Sequence, residues 1–483
     1  MTGMVDNELG NTKKSVHIET WGCQMNTADS EKMLSLLAER NYSLVGSAEE
    51  ADLVLLNTCH IREKATHKVL SRLGVLRDIK ATRPGMKIAV AGCVAQAEGK
   101  RLVKSAPQID VLLGPGKIDD LPNLLNENIL TGKTAMAVGF KPERNHHHRD
   151  DASPTSTLDE TNIAPAEEIP FAVTQSITGK HEVSRYVNIQ QGCNNYCTFC
   201  VVPFTRGREI SRTPDQIFHD TKALVYHGAR EVTLLGQNVN SYGLDLVDSG
   251  ALPVTAGGPF VDLLARVATI DGLERLRFTT SNPHDFTPQL ADLYRTEPKL
   301  GRYIHLPVQS GNDEVLGRMK RKVTRAEFME RIAWLRKAVP DMAFSTDLIV
   351  GFPGETEDQF EDTLQLIRDV RFSFIFSFKY STRRNTVAAR FQDHVPEDVK
   401  EKRLSRLMAL QERITVEENL GEIGRTRNVL FVYESKKEPG IFYGRTEHFR
   451  LVRVRAERDI SGQLLPVVIT DGNKISLTGT LAH

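Results

Sequence analysis

The chain has 483 residues, of which 40% are hydrophobic and 26% charged, the balance of an ordinary folded protein with room for roughly two to four domains. Its 62 basic residues offset 62 acidic ones, so a nucleic-acid partner would have to be met by local basic patches, with no global positive field to attract it. Six cysteines, no signal-peptide pattern and no apolar run long enough to span a membrane fit a reducing cytoplasm better than a secreted disulfide framework or a membrane span.

Residues 1–13 are polar and read as disordered. Residues 14–131 read as a first α/β domain. Three apolar, strand-like runs there each end in a cysteine: Val16 to Cys23, Asp52 to Cys59, and Lys87 to Cys93. Helical patterns over Ala28–Arg40 and Arg62–Ile79 follow the first two, with Asn26 or Thr27 as the expected N-cap of the first. Strand–helix alternation predicts a parallel sheet, whose ligand sites lie outside the strand C-termini. Cys23, Cys59 and Cys93 are thereby expected to converge as ligands of one metal cluster. Three separately buried apolar cysteines are the plainer alternative.

Residues 132–180 read as a linker, polar and without periodicity from Lys141 on. His146, His147 and His148 could bind metal, or simply belong to a solvated tract. Residues 181–413 show six strand-like runs: Tyr186–Gln190, Glu231–Gly236, Arg275–Thr279, Tyr303–Val308, Ala343–Val350 and Ser373–Tyr380. Helical patterns over Gln216–His227, Phe260–Ala268, Ala326–Val339 and Glu357–Val370 alternate with them. After the first run come Cys193, Cys197 and Cys200, spaced C-x3-C-x2-C with Phe199 before the last. Three thiolates this close can wrap three corners of an iron–sulfur cube and leave the fourth iron open to a small molecule. That spacing is the signature of the radical S-adenosylmethionine (SAM) superfamily. A zinc site or three structural cysteines remain the alternatives, although zinc usually takes four closed ligands.

An amphipathic segment, Pro396–Asn419, leads into residues 414–483. Strand-like runs over Arg427–Tyr433, Gly440–Arg445, Arg450–Arg455 and Pro466–Thr470 predict a small β-barrel there. Basic residues gather in three places. These are Arg206, Arg208 and Arg212; Arg318 to Arg325; and Arg425, Arg427, Arg445, Arg450, Arg453 and Arg455, with Tyr443 and Phe449 interleaved. Arginine-plus-aromatic surfaces suit phosphates and splayed bases, while any single run could be a solvated face.

The segments Trp21–Asn26, Asn57–Arg62, Ala91–Gln96, Gln191–Glu209, Leu234–Asn240, Ile304–Gly311 and Asp347–Thr356 carry a resemblance that extends from about Val16 to near the C-terminus. The chain resembles the methylthiotransferases, and most closely the branch that makes 2-methylthio-N6-isopentenyladenosine in tRNA. The resemblance implies an N-terminal parallel-sheet α/β domain, a central radical SAM partial (βα)6 barrel and a C-terminal small TRAM-like β-barrel. It implies two 4Fe-4S clusters, an auxiliary one on Cys23, Cys59 and Cys93 and a SAM-cleaving one on Cys193, Cys197 and Cys200. Two SAM molecules would supply the methyl group and the radical. Gln237, Gln309 and Gly351 are the expected SAM contacts, and Arg206, Arg208, Arg427, Arg445 and Arg453 the expected RNA contacts.

The implied partners are the tRNA anticodon stem-loop, an electron donor such as flavodoxin or ferredoxin, and a sulfur source, with no membrane involved. Sister branches acting on threonylcarbamoyl-adenosine in tRNA or on a ribosomal-protein aspartate are the nearest rivals. A non-catalytic iron–sulfur RNA-binding sensor is the rival of another class. One stretch, Gly444–Phe449, departs from the commoner Asn-bearing version of the family.

Overall fold

The computed structural model describes residues 13–60, 65–140 and 182–482. The polar start of the chain, residues 61–64 and the histidine tract with the rest of 141–180 lie outside the described residues. The chain divides into two units, one built on the N-terminal sheet and one from residue 180 onward that also takes in Cys23–Ala28 and His60.

The first unit is a six-stranded sheet with every pairing parallel. Its strands are Lys14–Trp21, Tyr42–Leu44, Leu53–Thr58, Lys87–Gly92, Val111–Leu113 and Ala135–Ala137, in spatial order second, first, third, fourth, fifth, sixth. The two central strands, Leu53–Thr58 and Lys87–Gly92, are buried almost throughout, as a sheet covered on both faces requires. Alternation splits their side chains between two cores. Leu53, Leu55, Ala89 and Ala91 pack with Met33 and Leu37. Val54, Leu56 and Val90 pack with Val69, Leu73 and Leu76 on the other side. The first helix runs from Gln24 to Ala38, so the expected N-caps Asn26 and Thr27 lie inside its first turn. The strand stops at Trp21, and Cys23 takes the capping position: its carbonyl accepts from the Asn26 N–H at 2.9 Å. Asn26 Oδ1 accepts in return from the Cys23 N–H at 3.4 Å.

The second unit begins with six parallel strands, Ser184–Asn188, Glu231–Leu235, Arg275–Thr279, Tyr303–His305, Ala343–Val350 and Phe374–Lys379. They form two three-stranded sheets, and the bridge between Leu276 and Leu300 brings the stretch before the fourth strand to the third. Helices Pro214–Tyr226, Pro259–Ala268, Pro288–Thr296, Arg325–Ala338 and Glu357–Val370 alternate with the strands. Thr213, Thr324 and Thr356 open three of them with reciprocal capping boxes. Pro288–Thr296 was not among the expected helices, although Thr287 followed by Pro288 is a cap-plus-first-turn signal.

The long helix Glu397–Leu420 then leads to a closed five-stranded barrel: Thr426–Glu434, Ile441–Thr446, Leu451–Arg455, Leu464–Gly472 and Leu477–Leu481. The fifth strand, absent from the four expected, closes it by pairing parallel to the third and antiparallel to the fourth. Among the described residues no helix is long and apolar enough to cross a membrane.

The small barrel meets the six-strand arc at the N-terminal ends of its strands. Arg275 donates to the carbonyls of Arg445 at 2.9 Å, Thr446 at 3.2 Å and Asn428 at 3.2 Å. Arg277 donates to the Thr446 carbonyl at 3.0 Å and to Glu231 at 2.7 Å. Phe449, at φ 65°, stacks on Tyr303 with ring centres 4.8 Å apart. The Arg277 and Arg445 guanidiniums lie over that same ring, at 4.7 and 4.1 Å. Burial alone would raise the Glu231 carboxyl, but Arg277 and Arg275 outweigh it and hold it below its ordinary value. Burial and the neighbouring Arg277 charge pull Arg275 down to about 10. Glu231→Ala would leave two guanidiniums buried without their counter-charge, and is expected to cost about 3–5 kcal/mol. The measurement is the thermal midpoint of the full-length variant, and a midpoint equal to that of the parent chain would refute the clamp.

Candidate functional site

The three closely spaced cysteines lie on a loop that leaves the C-terminal end of the first barrel strand. Gln190–Gln191 pairs antiparallel with Ile210–Ser211 and closes the neck of the loop. Gly192 at that neck has φ 83°, and a Cβ on it would overlap the Arg208 carbonyl, so only glycine fits. The Cys193 N–H donates to the Gly207 carbonyl at 3.2 Å, and the Cys200 N–H to the Cys197 carbonyl at 3.0 Å. The far side is tied down by Thr198, which donates to the carbonyls of Met319 and Arg318 and accepts from the Ala388 N–H.

Each sulfur has a donor of its own. Asn195 Nδ2 reaches Cys193 Sγ at 3.5 Å, Arg321 Nη1 reaches Cys197 Sγ at 3.5 Å, and the Val202 N–H reaches Cys200 Sγ at 3.4 Å. Burial, followed by the nearby Cys197 sulfur, pushes the Cys200 thiol up to about 12, and burial raises Cys193 as well. Such thiols do not carry bare negative charge by themselves. A cationic metal cluster would supply the missing compensation, and N–H donors aimed at the sulfurs are what a ligating thiolate requires. Among the described residues no three His, Cys, Asp or Glu side chains are arranged to hold a single metal ion. The donor set is three soft sulfurs with N–H support, and it fits an iron–sulfur cube.

Around the strand C-termini several buried polar atoms have no hydrogen-bond partner among the described residues. They are Asn188 Oδ1, Gln190 Oε1, both amide atoms of Asn240, and Ser281 Oγ. Unpaired groups gathered at the catalytic end of a barrel are the donors and acceptors that a polar cofactor would satisfy. The three residues expected to touch SAM lie at this end as well. Gln237 accepts from the Gly192 N–H at 2.5 Å, so one end of its amide braces the cysteine loop. Gln309 is buried at φ 82°, its backbone bridged to the fifth strand through Asp347 and Ile349. Gly351, at φ 70°, donates its N–H to the buried Glu355 carboxylate at 2.6 Å.

A side-chain relay not foreseen from the sequence runs outward from Cys197. Arg321 Nη2 donates to Asn282 Oδ1 at 3.1 Å and to the Pro307 carbonyl at 2.6 Å. The Asn282 N–H donates to Asn238 Oδ1, Asn238 Nδ2 to Ser241 Oγ, and Ser241 Oγ to Glu209 at 2.7 Å. Burial pushes the Glu209 carboxyl up to about 7 against that last bond, with Asp245 and Asp285 adding to the rise. Arg321 had been grouped with a basic RNA stretch, but the structure places it against a cysteine sulfur. Its neighbours Arg318 and Arg325 are engaged with Asp393 and Asp369.

In the N-terminal sheet, Thr58 is paired in register with Trp21 on one side and Gly92 on the other. Cys59 and Cys93 follow directly, and Cys23 follows Trp21 by two residues. Gly92 has φ 92°, and a Cβ there would stand 2.5 Å from the Thr58 carbonyl, so glycine is required one residue before Cys93. None of the six cysteines is in a disulfide.

The expected RNA arginines divide. Arg208 is exposed, and Arg453 lies at the surface paired with Glu438. Arg206 is buried. Arg427 is 8% exposed and held by Glu422, Asp341 and Glu447, and Arg445 covers the Phe449 ring and donates to its carbonyl. Arg427 and Arg445 thus turn their guanidiniums to partners inside the fold, which leaves Arg208 and Arg453 the better placed of the five for a phosphate. Tyr433 and Tyr443 stack 5.5 Å apart on the small barrel, and Tyr443 is in register with Arg453.

Residues 15–114 match the Uncharacterized protein family UPF0004, and residues 187–367 match the Radical SAM superfamily. Among solved structures the fold is similar to TsrM from Kitasatospora setae, a radical S-adenosylmethionine methyltransferase with cobalamin and a [4Fe-4S] cluster bound. The TM-score is 0.54 at 12% identity, covering 78% of this chain and 74% of that one. Fold and cysteine loop together define a radical SAM protein. The tRNA-2-methylthio-N(6)-dimethylallyladenosine synthase of Geotalea uraniireducens is 42% identical over 471 residues, 98% of this chain and 99% of its own. That of Pseudomonas aeruginosa is 43% identical over 470 residues, 97% and 98% of the two chains. The chain belongs to the tRNA-2-methylthio-N(6)-dimethylallyladenosine synthase family.

Gly192→Ala should force the neck of the cysteine loop apart, whereas Gly74→Ala, with nothing within 4 Å of the added Cβ, serves as the control. Hydrogen exchange followed by mass spectrometry should show faster exchange across residues 192–209 in the first variant alone. Equal protection in both variants would contradict the close approach.

Proposed function

We propose that this protein transfers a methylthio group to carbon 2 of the isopentenylated adenosine beside the anticodon of tRNA, using two SAM molecules and two 4Fe-4S clusters. Family membership over nearly the whole length supports the reaction. The observation that carries the chemistry is the gathering of Cys193, Cys197 and Cys200 at the C-terminal end of a six-strand parallel arc, each sulfur with its own N–H donor. The proposed domains are 14–131, a linker over 132–180, the radical SAM core over 181–413 and a TRAM domain over 414–483.

Replacing an unactivated aromatic C–H by C–S–CH3 lies beyond any side-chain acid or base, and the clusters and SAM supply the radical chemistry when bound. The chain's part is to hold and orient. Cys193, Cys197 and Cys200 ligate three irons of one cube, and Cys23, Cys59 and Cys93 three irons of the other. Arg321, Asn195 and the Val202 N–H stabilise thiolate charge, which helps set the reduction potential. Asn188, Asn240, Ser281, Gln309 and Gly351 offer polar groups to SAM. On the small barrel, the Tyr433–Tyr443 pair and Arg453, with the exposed Arg208 of the cysteine loop, are the proposed RNA contacts, where bases stack and phosphates pair. An electron donor such as flavodoxin or ferredoxin and an external sulfur source complete the cycle in a reducing cytoplasm.

Anaerobically reconstituted protein is expected to hold about eight irons and eight sulfides. Replacing Cys193, Cys197 and Cys200 together by Ala should leave about half of that. Iron and sulfide analysis decides, and parent protein with the content of a single cube would remove the auxiliary cluster. The acceptor is tested with reduced protein, SAM and a sulfide source. An isopentenylated anticodon stem-loop should gain the methylthio group, read by nucleoside mass spectrometry. Preference for a threonylcarbamoyl stem-loop or the ribosomal protein would assign a sister branch, and SAM cleavage with no acceptor would favour a sensor.

A further inference from the structure

The last barrel strand, Phe374–Lys379, places an aromatic ring at every second position: Phe374, Phe376 and Phe378. Period-2 alternation puts all three on one face of the sheet. Register adds their partners on that face, with Phe374 opposite Ser345, Phe376 opposite Asp347 and Phe378 opposite Ile349. Tyr303 and His305 continue the face on the fourth strand. The other face is ordinary core: Ile304, Phe344, Thr346, Leu348 and Val350 are all buried. Yet Phe376 is 50% and Phe378 40% exposed. Two exposed rings in the middle of a parallel strand are not demanded by packing, and contiguous exposed apolar surface marks a binding site.

The ladder has two defined ends. At the strand starts Phe374 stacks with Tyr303 at 5.7 Å and lies 6.3 Å from Phe449, so the small barrel closes that end. Towards the strand C-termini, Ile349, the register partner of Phe378, packs on the same apolar cluster as Phe199 of the cysteine loop. An occupant of the wall is therefore stopped below by the plug and faces the cysteine loop above. The polar margin is fixed as well. His305 Nδ1 pairs with Ser345 Oγ at 2.8 Å and its Nε2 lies 3.4 Å from Asp347, while its ring meets Phe376 edge-on at 5.6 Å.

We propose that Phe376 and Phe378 form the specificity-determining wall that receives the isopentenyl group and the adenine carrying it. The proposal rests on the substrate reading above and deepens it. An uncharged five-carbon branched chain on a flat base is the ligand for exposed aromatic rings, by burial of apolar surface and by stacking. A threonylcarbamoyl group carries a carboxylate, and on this face it would meet apolar rings and the carboxylate of Asp347, so it is rejected by desolvation and like charge.

The test uses two anticodon stem-loops that differ only in the isopentenyl group, with affinities measured by fluorescence anisotropy on unreduced, cluster-loaded protein. The parent chain should prefer the isopentenylated loop. In Phe376→Ala/Phe378→Ala that preference should fall by about tenfold or more, because the isopentenylated loop loses both its apolar and its stacking contact and the unmodified loop only the stacking of its adenine. Phe376→Leu should recover part of it, because apolar area is kept. Unchanged thermal midpoint and iron content verify that the variants fold. A folded double variant with the parent's preference ratio would overturn the wall. Absence of any preference in the parent chain would instead strike the substrate reading itself.

Discussion

A six-strand arc cannot close on itself, and the charged clamp at its lower end makes it usable as an active site. Glu231 sits between Arg275 and Arg277, and those two guanidiniums turn their remaining donors onto backbone carbonyls of the small barrel. Buried ions are retained only when paired and hydrogen-bonded; here the ion pairs lie within one sheet and the remaining hydrogen bonds reach the small barrel. The same contact seats Phe449 beneath Tyr303 and Phe374 and shuts the end of the arc remote from the cysteines. The C-terminal module is thus the floor at that end of the arc. Its inward arginines serve that role, while Arg453 and the stacked tyrosines stay at its surface.

The opposite end is organised by the cost of burying thiolates. Cys200 and Cys193 are pushed towards the neutral thiol, so the loop depends on metal charge and on N–H donors to hold sulfur as a ligand. Those donors come from the loop itself, through Asn195 and Val202, and from far along the chain, through Arg321. Arg321 also binds Asn282, which connects to Asn238, Ser241 and Glu209. The loop is therefore held to the ends of the second and third strands as well as to its own. Displacement of either of those strand ends would be felt at a sulfur.

Much of this was legible in one dimension. All six barrel strands and the helix Glu357–Val370 fall where hydrophobic periodicity put them, and the cysteine spacing pointed to a cluster before any geometry was known. The illegible part has a common cause. A run of arginines looks the same whether it faces phosphate or caps buried carbonyls, so Arg427, Arg445 and Arg321 read in the sequence just as the surface Arg453 does. Only the fold brings Arg321 to Cys197, 124 residues away. The fifth strand of the small barrel, Leu477–Leu481, holds two residues, Leu477 and Gly479, buried by their neighbours, too few for the alternation to stand out.

Backbone strain follows the same map. Tyr196, between the first two cysteines, has φ 47°, Gln309 has φ 82° and Phe449 has φ 65°. Side chains of this size rarely adopt such angles, and each costs roughly 1–3 kcal/mol and persists where its surroundings over-determine it. The surroundings do so at two of the three. Gln309 is pinned by backbone bonds to Asp347 and Ile349, and Phe449 by the Tyr303 ring and two guanidiniums. The Gly444–Phe449 stretch is thus the one carrying the plug, at the end of the arc remote from the cysteines.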